Sequence, residues 1–391
     1  MPWRETDAMR ERIEFVVLAR QGGTSVSELC RQYGVSRKTA YKWLQRYREA
    51  GSLTGLVERS RRPRRSPGQT PEEVEGRVVA LRRRYGWGGR KLALRLAQEG
   101  VVLSAATIDR IIQRRGLVGP DVRGRGAATR FERSQPNELW QMDFKGEYPL
   151  EGRSWCFPLT ILDDHSRYLI GLDPLVSTET APVTRSLIQC FDRYGLPDAM
   201  LLDHGVPWWS TTNGHGLTRL SVFLLNQDIR LIYGAVAHPQ TRGKIERLHR
   251  TLHRSLCGWG VPSDLPGFRR ALGAFRHEYN QLRPHAALQM AVPADRYRPS
   301  SRPYNPTPPE WDYPSDGVVL RLNSQGCLDY RSHRYFVCEA LARQPVLCQE
   351  FDDKLLITYR TMHIREIELK TGRTTPLVRP AHQPTTLSPM S

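Results

Sequence analysis

The sequence predicts a multidomain chain: all-α helical units at the N-terminus, an α/β core with a mixed sheet, and a small C-terminal β-barrel. Three observations predict it. Up to residue 117 the apolar residues recur at helical spacing, broken by turn and linker composition. From residue 139 strand-like runs replace them, first in hairpin succession and then alternating with helical stretches. From residue 316 short apolar alternations return without a helical period.

A chain of 391 residues allows two to four domains with real cores. Its 39% hydrophobic and 25% charged residues exclude a disordered chain. Lys and Arg number 58 against 40 Asp and Glu, and the net charge of +18 points to a polyanionic partner, nucleic acid above all. The seven cysteines are scattered with no Cys-x-x-Cys pair, so they read as reduced thiols rather than a disulfide framework or a zinc site. No apolar run reaches the roughly 18 residues of a membrane span. The first residues lack the apolar segment of a signal peptide, and a cytoplasmic location without membrane association is expected.

Residues 6–50 read as a three-helix unit. Ile13, Val16 and Val17 give the first helix an apolar side, and Gly22-Gly23 ends it. Ser25 or Ser27 caps a second helix with Val26, Leu29, Cys30 and Tyr33 inward. After the turn at Gly34-Val35, Ser36 caps a third helix from Arg37 to about Glu49, with Ala40, Leu44 and Tyr47 on its inner face. Arg37, Lys38, Thr39, Tyr41 and Lys42 then face outward. A basic, hydroxyl-bearing start to the second helix of such a turn is what major-groove docking needs, so this is a helix-turn-helix DNA-binding unit.

Residues 51–70 form a linker. Arg61, Arg62, Arg64 and Arg65 interleave with Pro63 and Pro67, a composition that builds no core but can follow phosphates or a minor groove. Residues 71–117 are helical again, with stripes at Val74, Val78 and Leu81, then Leu92 and Leu96. Ser104 caps a last helix that carries Ile108, Ile111 and Ile112 inward. Arg110 and Arg114 lie off that stripe, and the segment reads as a second helix-turn-helix DNA-binding unit. Two such units on a linker can span an extended site with high effective concentration.

Residues 135–300 form the α/β core. Strands at 139–145, 155–163 and 167–172 precede a helix at 180–194, a strand at 199–203, a helix at 216–227, a strand at 229–233 and a long helix at 240–256. This is the order of a ribonuclease-H-like fold. Asp143 closes the run Trp140-Gln141-Met142, and Asp203 closes Ala199-Met200-Leu201-Leu202. Glu246 lies on the long helix. Two Asp at strand ends with a Glu on a helix make an oxygen-ligand set suited to a hard divalent cation. Lys244, Arg247, His249 and Arg250 flank Glu246 and are expected to hold DNA phosphates. Asp163, at a turn beside Ser166 and Arg167, reads as structural.

Four segments carry a resemblance: Glu138-Leu139-Trp140-Gln141-Met142-Asp143-Phe144, Leu162-Asp163-Asp164-His165-Ser166-Arg167, Leu202-Asp203-His204-Gly205, and His238-Pro239-Gln240-Thr241-Arg242-Gly243-Lys244-Ile245-Glu246-Arg247. Over residues 135–300 the chain resembles a bacterial insertion-sequence transposase of the DDE type, with a retroviral-integrase-like core. The resemblance implies that Asp143, Asp203 and Glu246 are the catalytic triad and ligands of Mg²⁺ or Mn²⁺, held as a pair of ions. It implies a DNA transposase that binds the terminal inverted repeats of its element, cleaves the ends and joins the 3′-hydroxyls to target DNA. Double-stranded DNA is then the partner, and synapsis of two ends calls for a homo-oligomer, at least a dimer. A catalytically silent DNA-binding regulator is one alternative; a transposase subunit working with an accessory ATPase is another. No Gly-x-x-x-x-Gly-Lys-[Ser/Thr] loop is present, so no ATP use by this chain is expected. Two departures stand out. His204 replaces the Asn common after this Asp, and the loop from Pro207 to Gly216 lengthens the interval between Asp203 and Glu246.

Residues 265–283 read as an amphipathic helix packed on the core, and the Pro-rich stretch 293–314 as a linker. Alternation at Val318, Leu320 and Leu322, then from Tyr335 to Tyr359, suggests a small β-barrel over 314–370. The tail after Arg373 is expected to be disordered.

Overall fold

The computed structural model describes residues 7–59, 68–119, 132–210, 216–233 and 243–380. Arg61, Arg62, Arg64 and Arg65 lie outside them, as do His238 and Gln240. The chain divides into two compact units, residues 1–71 and 72–391.

The first unit holds helices α1 (Ala8–Gln21), α2 (Val26–Gln32) and α3 (Arg37–Ala50). Each starts at a side chain that accepts a backbone N–H: Asp7, Ser25 and Ser36. Of the two serines open for α2, Ser25 is the cap. Phe15, Val16, Leu29, Cys30, Ala40, Trp43 and Leu44 form the core. Trp43 was not among the residues expected inside. Its ring is roofed by Arg12 at 4.0 Å, with Lys42 and Arg46 also over it.

The second unit begins with α4 (Glu72–Tyr85), α5 (Gly89–Gln98) and α6 (Ala105–Arg114) around Val78, Leu81, Trp87, Leu92, Leu96, Ile108 and Ile111. Ser104 caps α6 as its position suggests. This helical trio rests on the core that follows: Leu282 packs into its apolar cluster, and Trp259 Nε1 donates to Arg84 O at 3.5 Å.

The core sheet is built from β1 (Trp140–Phe144), β2 (Tyr148–Leu150), β3 (Ser154–Asp163), β4 (Leu169–Leu175), β5 (Ala199–Leu202) and β6 (Arg230–Tyr233). β3 pairs antiparallel with β1, β2 and β4, while β1–β5 and β5–β6 are parallel. This is the mixed sheet of a ribonuclease-H-like core. Helices α7 (Thr180–Tyr194) and α8 (Arg219–Asn226) cover one face with Trp140, Met142, Ile161, Met200 and Leu202. Helices α9 (Gly243–Trp259) and α10 (Leu265–His277) cover the other with Leu162, Leu169 and Leu172. Asn280, after α10, pairs with β4 through both its amide atoms: Oδ1 accepts from Leu169 N and Nδ2 donates to Leu169 O.

The stretch expected as a linker is docked. Tyr297 donates to Asn137 Oδ1, and Arg302 donates to Pro197 O and Asp228 O, both at 2.7 Å. It opens with a short helix, α11 (Pro293–Arg296), and leads to β7 (Val318–Arg321), β8 (Cys327–Tyr330), β9 (His333–Phe336), β10 (Pro345–Phe351), β11 (Lys354–Tyr359), β12 (Met362–Glu368) and β13 (Thr374–Pro380). The expected barrel is not closed among the described residues. Five strands run in the open order β13-β12-β11-β10-β7, and β8-β9 is a separate hairpin. Alternation specifies strands but not closure. The expected disordered tail is corrected too: residues 374–380 pair with β12, and Val378 lies so close to Gly216 that a Cβ there would come within 2.4 Å of it. The C-terminal sheet shares one apolar core with α8 and β6, through Leu322, Val337, Cys338 and Val346.

Candidate active site

The parallel register of β1 and β5 pairs Trp140 with Met200 and Gln141 with Leu201. Extended by two residues, it sets Asp143 against Asp203 at the carboxyl ends of adjacent strands. Side chains alternate along a strand, and Trp140, Met142, Met200 and Leu202 face α7 and α8. Asp143 therefore stands on the opposite face with its pair Thr160, which meets His249 of α9, while Asp203 follows the last residue of β5.

Each carboxylate is oriented locally. Asp143 Oδ1 accepts from Phe144 N at 2.8 Å, while its backbone carbonyl accepts from the buried Thr160 hydroxyl at 2.8 Å. Asp203 Oδ1 accepts from Gly205 N at 2.9 Å and from Trp208 Nε1. A Cβ on Gly205 would come within 2.9 Å of that same oxygen, so a side chain there would push the Asp203 carboxylate from its place. Trp208 is 1% exposed and stacks on Phe144 with ring centroids 5.3 Å apart. It thus joins the two acid-bearing strand ends through one buried indole. His204 is exposed and meets Trp209 edge-on at 4.5 Å.

Glu246 is exposed in the first turn of α9, where the helix dipole favours a carboxylate. Two tethers bracket it. Lys244 Nζ donates to Asp164 Oδ1 at 2.6 Å; that carboxylate is fully buried and also accepts from Gln141 Nε2 and Arg133 N. One turn on, His249 Nε2 and Thr160 Oγ1 are 2.8 Å apart, and Thr160 is the residue paired with Asp143 across β1 and β3. Among the described residues, no three His, Cys, Asp or Glu side chains stand close enough to hold a metal ion. The donor chemistry nonetheless fits one: carboxylates at the ends of two adjacent strands and a third in the first turn of α9 are hard oxygen donors suited to Mg²⁺ or Mn²⁺.

Burial sets the ionisation of the tethers. It pushes Lys244 down to about 8, against the opposing pull of Asp164. It pushes His249 down to about 4, aided by Lys145, so the ring is neutral at neutral pH. Asp163 is raised by burial even though its carboxylate accepts from Ser166 N, Ser166 Oγ and Asn137 N, which hold the turn.

The expected DNA-facing residues divide. Arg37, Lys38, Tyr41 and Lys42 are exposed on the first half of α3, with Thr39 half-buried beside the Ser36 cap. Arg110, Arg247 and Arg250 are exposed. Arg114 instead reaches the buried Glu75, as does Arg115 at 3.0 Å. Lys244 and His249 turn inward to Asp164 and Thr160. Thr160, Asp164 and Trp208 acquire positioning roles that their sequence settings did not signal. All three depend on what lies across the sheet or loop, which local spacing does not report.

Among the described residues no helix is long and apolar enough to cross a membrane. Residues 133–239 and 227–293 each match a family model described as an integrase core domain. Residues 11–64 match a helix-turn-helix domain, and residues 39–112 a homeodomain-like domain. An uncharacterized protein of insertion element IS407 from Burkholderia multivorans is 26% identical over 258 residues, spanning 63% of this chain and 89% of that protein. The transposase for transposon Tn552 of Staphylococcus aureus is 26% identical over 321 residues, spanning 71% of this chain and 64% of that transposase. A simian T-cell lymphotropic virus intasome structure is similar at 16% identity and a TM-score of 0.39, over 78% of this chain and 99% of that one. The HTLV-2 integrase catalytic core, solved in complex with magnesium, is similar at 15% identity and a TM-score of 0.33, over 42% of this chain and 99% of that one. With helix-turn-helix matches ahead of integrase-core matches, the hallmark of a polynucleotidyl transferase, the chain is similar to insertion-sequence transposases with an integrase-like core.

Proposed function

We propose that this transposase binds the terminal repeats of its element, hydrolyses the DNA at their ends and joins the freed 3′-hydroxyls to target DNA. Asp143, Asp203 and Glu246 are its catalytic residues. One observation supports the reading: β1 and β5 are adjacent parallel strands whose carboxyl ends carry Asp143 and Asp203, and the first turn of α9 bears Glu246 between two tethers. These three carboxylates would hold Mg²⁺ or Mn²⁺. A pair of such ions supplies activation of the attacking oxygen and neutralises charge on the leaving 3′-oxygen. The chain's own contribution is placement. Trp208 and Gly205 fix the rotamer of Asp203, and Thr160 fixes the backbone at Asp143. Arg247 and Arg250 hold phosphates near Glu246, while Arg37, Lys38, Thr39, Tyr41 and Lys42 read the end sequence. Residues Arg61, Arg62, Arg64, Arg65 and Arg110 add backbone contacts. Two ends must be held together, so the active form is a homo-oligomer on DNA, in the cytoplasm.

The test separates binding from chemistry. In Asp143→Asn, Asp203→Asn and Glu246→Gln proteins, strand joining should fall at least 10³-fold, on the order of the loss when a group essential to the transition state is removed. End binding in a gel-shift assay should stay within about threefold of wild type, a difference of under 1 kcal/mol. Joining at the wild-type rate by any one of them would remove that residue from the site.

A further inference from the structure

Five cations from α4, α5, α9 and the turn after α10 gather where the second helical trio meets the core. Arg84 ends α4, Lys91 lies in the first turn of α5, Arg247 and Arg254 lie on α9, and Arg283 follows α10. Contacts across the seam hold them together: Arg283 lies over the Trp87 ring at 5.9 Å, and Trp259 of α9 donates to Arg84 O at 3.5 Å, while Arg247 and Arg283 both disfavour the charge on Lys91. The acid set among them is Glu278, 6% exposed and 3.9 Å from Arg283. Nε2 of His285, buried beside Lys91 and Arg283, has no hydrogen-bond partner among the described residues. Like charges held this close are stabilised by an external anion.

The seam also has a direction. Arg247, Arg250 and Arg254 are exposed and spaced three and four residues apart, so they form one stripe along α9 starting beside Glu246. Eight residues of helix separate Glu246 from Arg254, about 12 Å at ~1.5 Å per residue. At ~3.4 Å per base pair that is three to four steps of duplex, roughly. We propose that this seam is a track for the phosphodiester backbone of the element's terminal duplex, holding phosphates about three to four base pairs inward of the reacting end. The inference rests on the function proposed above and adds a place for the DNA that neither the acidic residues nor the α3 face supplies. It also gives the docked helical trio a task, since α4 and α5 furnish one bank of the track. Burial and the neighbouring arginines push Lys91 down to about 7, a strain that a bound phosphate relieves.

The probe is a labelled duplex made from the DNA that flanks the coding sequence, examined by phosphate-ethylation interference and by binding across a salt series. Wild-type protein should show interference three to four phosphates inward of the cleaved position. Arg254→Ala, an exposed change that does not touch the core, and Lys91→Ala should each lose that interference. Each should also make the plot of log affinity against log salt shallower by about 0.9. Circular dichroism checks that each variant is folded, and Arg254→Ala alone suffices if Lys91→Ala is not. A footprint and salt slope unchanged in Arg254→Ala would overturn the track while leaving the proposed function standing. Failure of the wild-type protein to bind any such duplex would overturn both.

Discussion

Lys244 shows how far a residue's meaning depends on what lies opposite it. By spacing it is one more cation beside Glu246. In the fold it is 14% exposed and bonded to a fully buried Asp164. Removing one partner of a buried pair costs about 3–5 kcal/mol, reduced here because Gln141 and Arg133 still donate to Asp164. Lys244→Met is therefore expected to lower stability by about 2–3 kcal/mol in urea unfolding, and pairing it with Asp164→Leu should recover part of the loss. A cost under about 0.5 kcal/mol, the usual size for a surface change, would mean that the pair does not anchor α9. His249 makes a second point at this scale. Its folded pKa, about 4, lies below the ordinary histidine value. Between that ordinary value near 6.5 and about 4, the unfolded chain takes up a proton that the folded chain refuses. Its contribution is thus intact above about pH 6.5 and is lost as pH falls toward 4, about 3 kcal/mol in all. An NMR titration should find the His249 ring neutral at pH 5.5; a midpoint near 6.5 would show that the ring is not held against Thr160.

At the scale of elements, much was legible. Asp7, Ser25, Ser36 and Ser104 cap helices because their side chains satisfy otherwise orphaned N–H groups, a signal written in the residue type. The strand-like runs at 139–145, 155–163 and 199–203 likewise anticipated β1, β3 and β5. What failed has a common cause. The segment Thr374–Pro380 carries two prolines and reads as a tail, yet becomes strand β13 because β12 offers it a partner and Val378 a seat against Gly216. The Pro-rich stretch before β7 reads as a linker, yet Arg302 ties it to carbonyls just before β5 and just after α8. Non-local pairing is invisible to a local period. Ending the chain after Arg373 should lower the thermal midpoint by about 2–4 °C, the effect of ~1 kcal/mol on a domain of this size. An unchanged midpoint would show that β13 adds nothing to the core it touches.

At the scale of the whole molecule, the sequence separated DNA-reading helices from an acid-bearing sheet, and family models match both parts. It did not show that the C-terminal sheet continues the core of α8 and β6, nor that α4 to α6 rest on α9 and the turn after α10. Those contacts bring basic side chains from distant parts of the chain toward the helix that bears Glu246. The central claim is that this assembly joins DNA ends through three carboxylates and a divalent ion. Its most direct test is to incubate the purified full-length protein with labelled duplex from the element's termini and an unlabelled target, with Mg²⁺, Mn²⁺ or EDTA. Joined products are expected with either cation, none with EDTA, and none from Glu246→Gln protein that still binds the ends. Joined products in EDTA, or from Glu246→Gln protein at the wild-type rate, would contradict it.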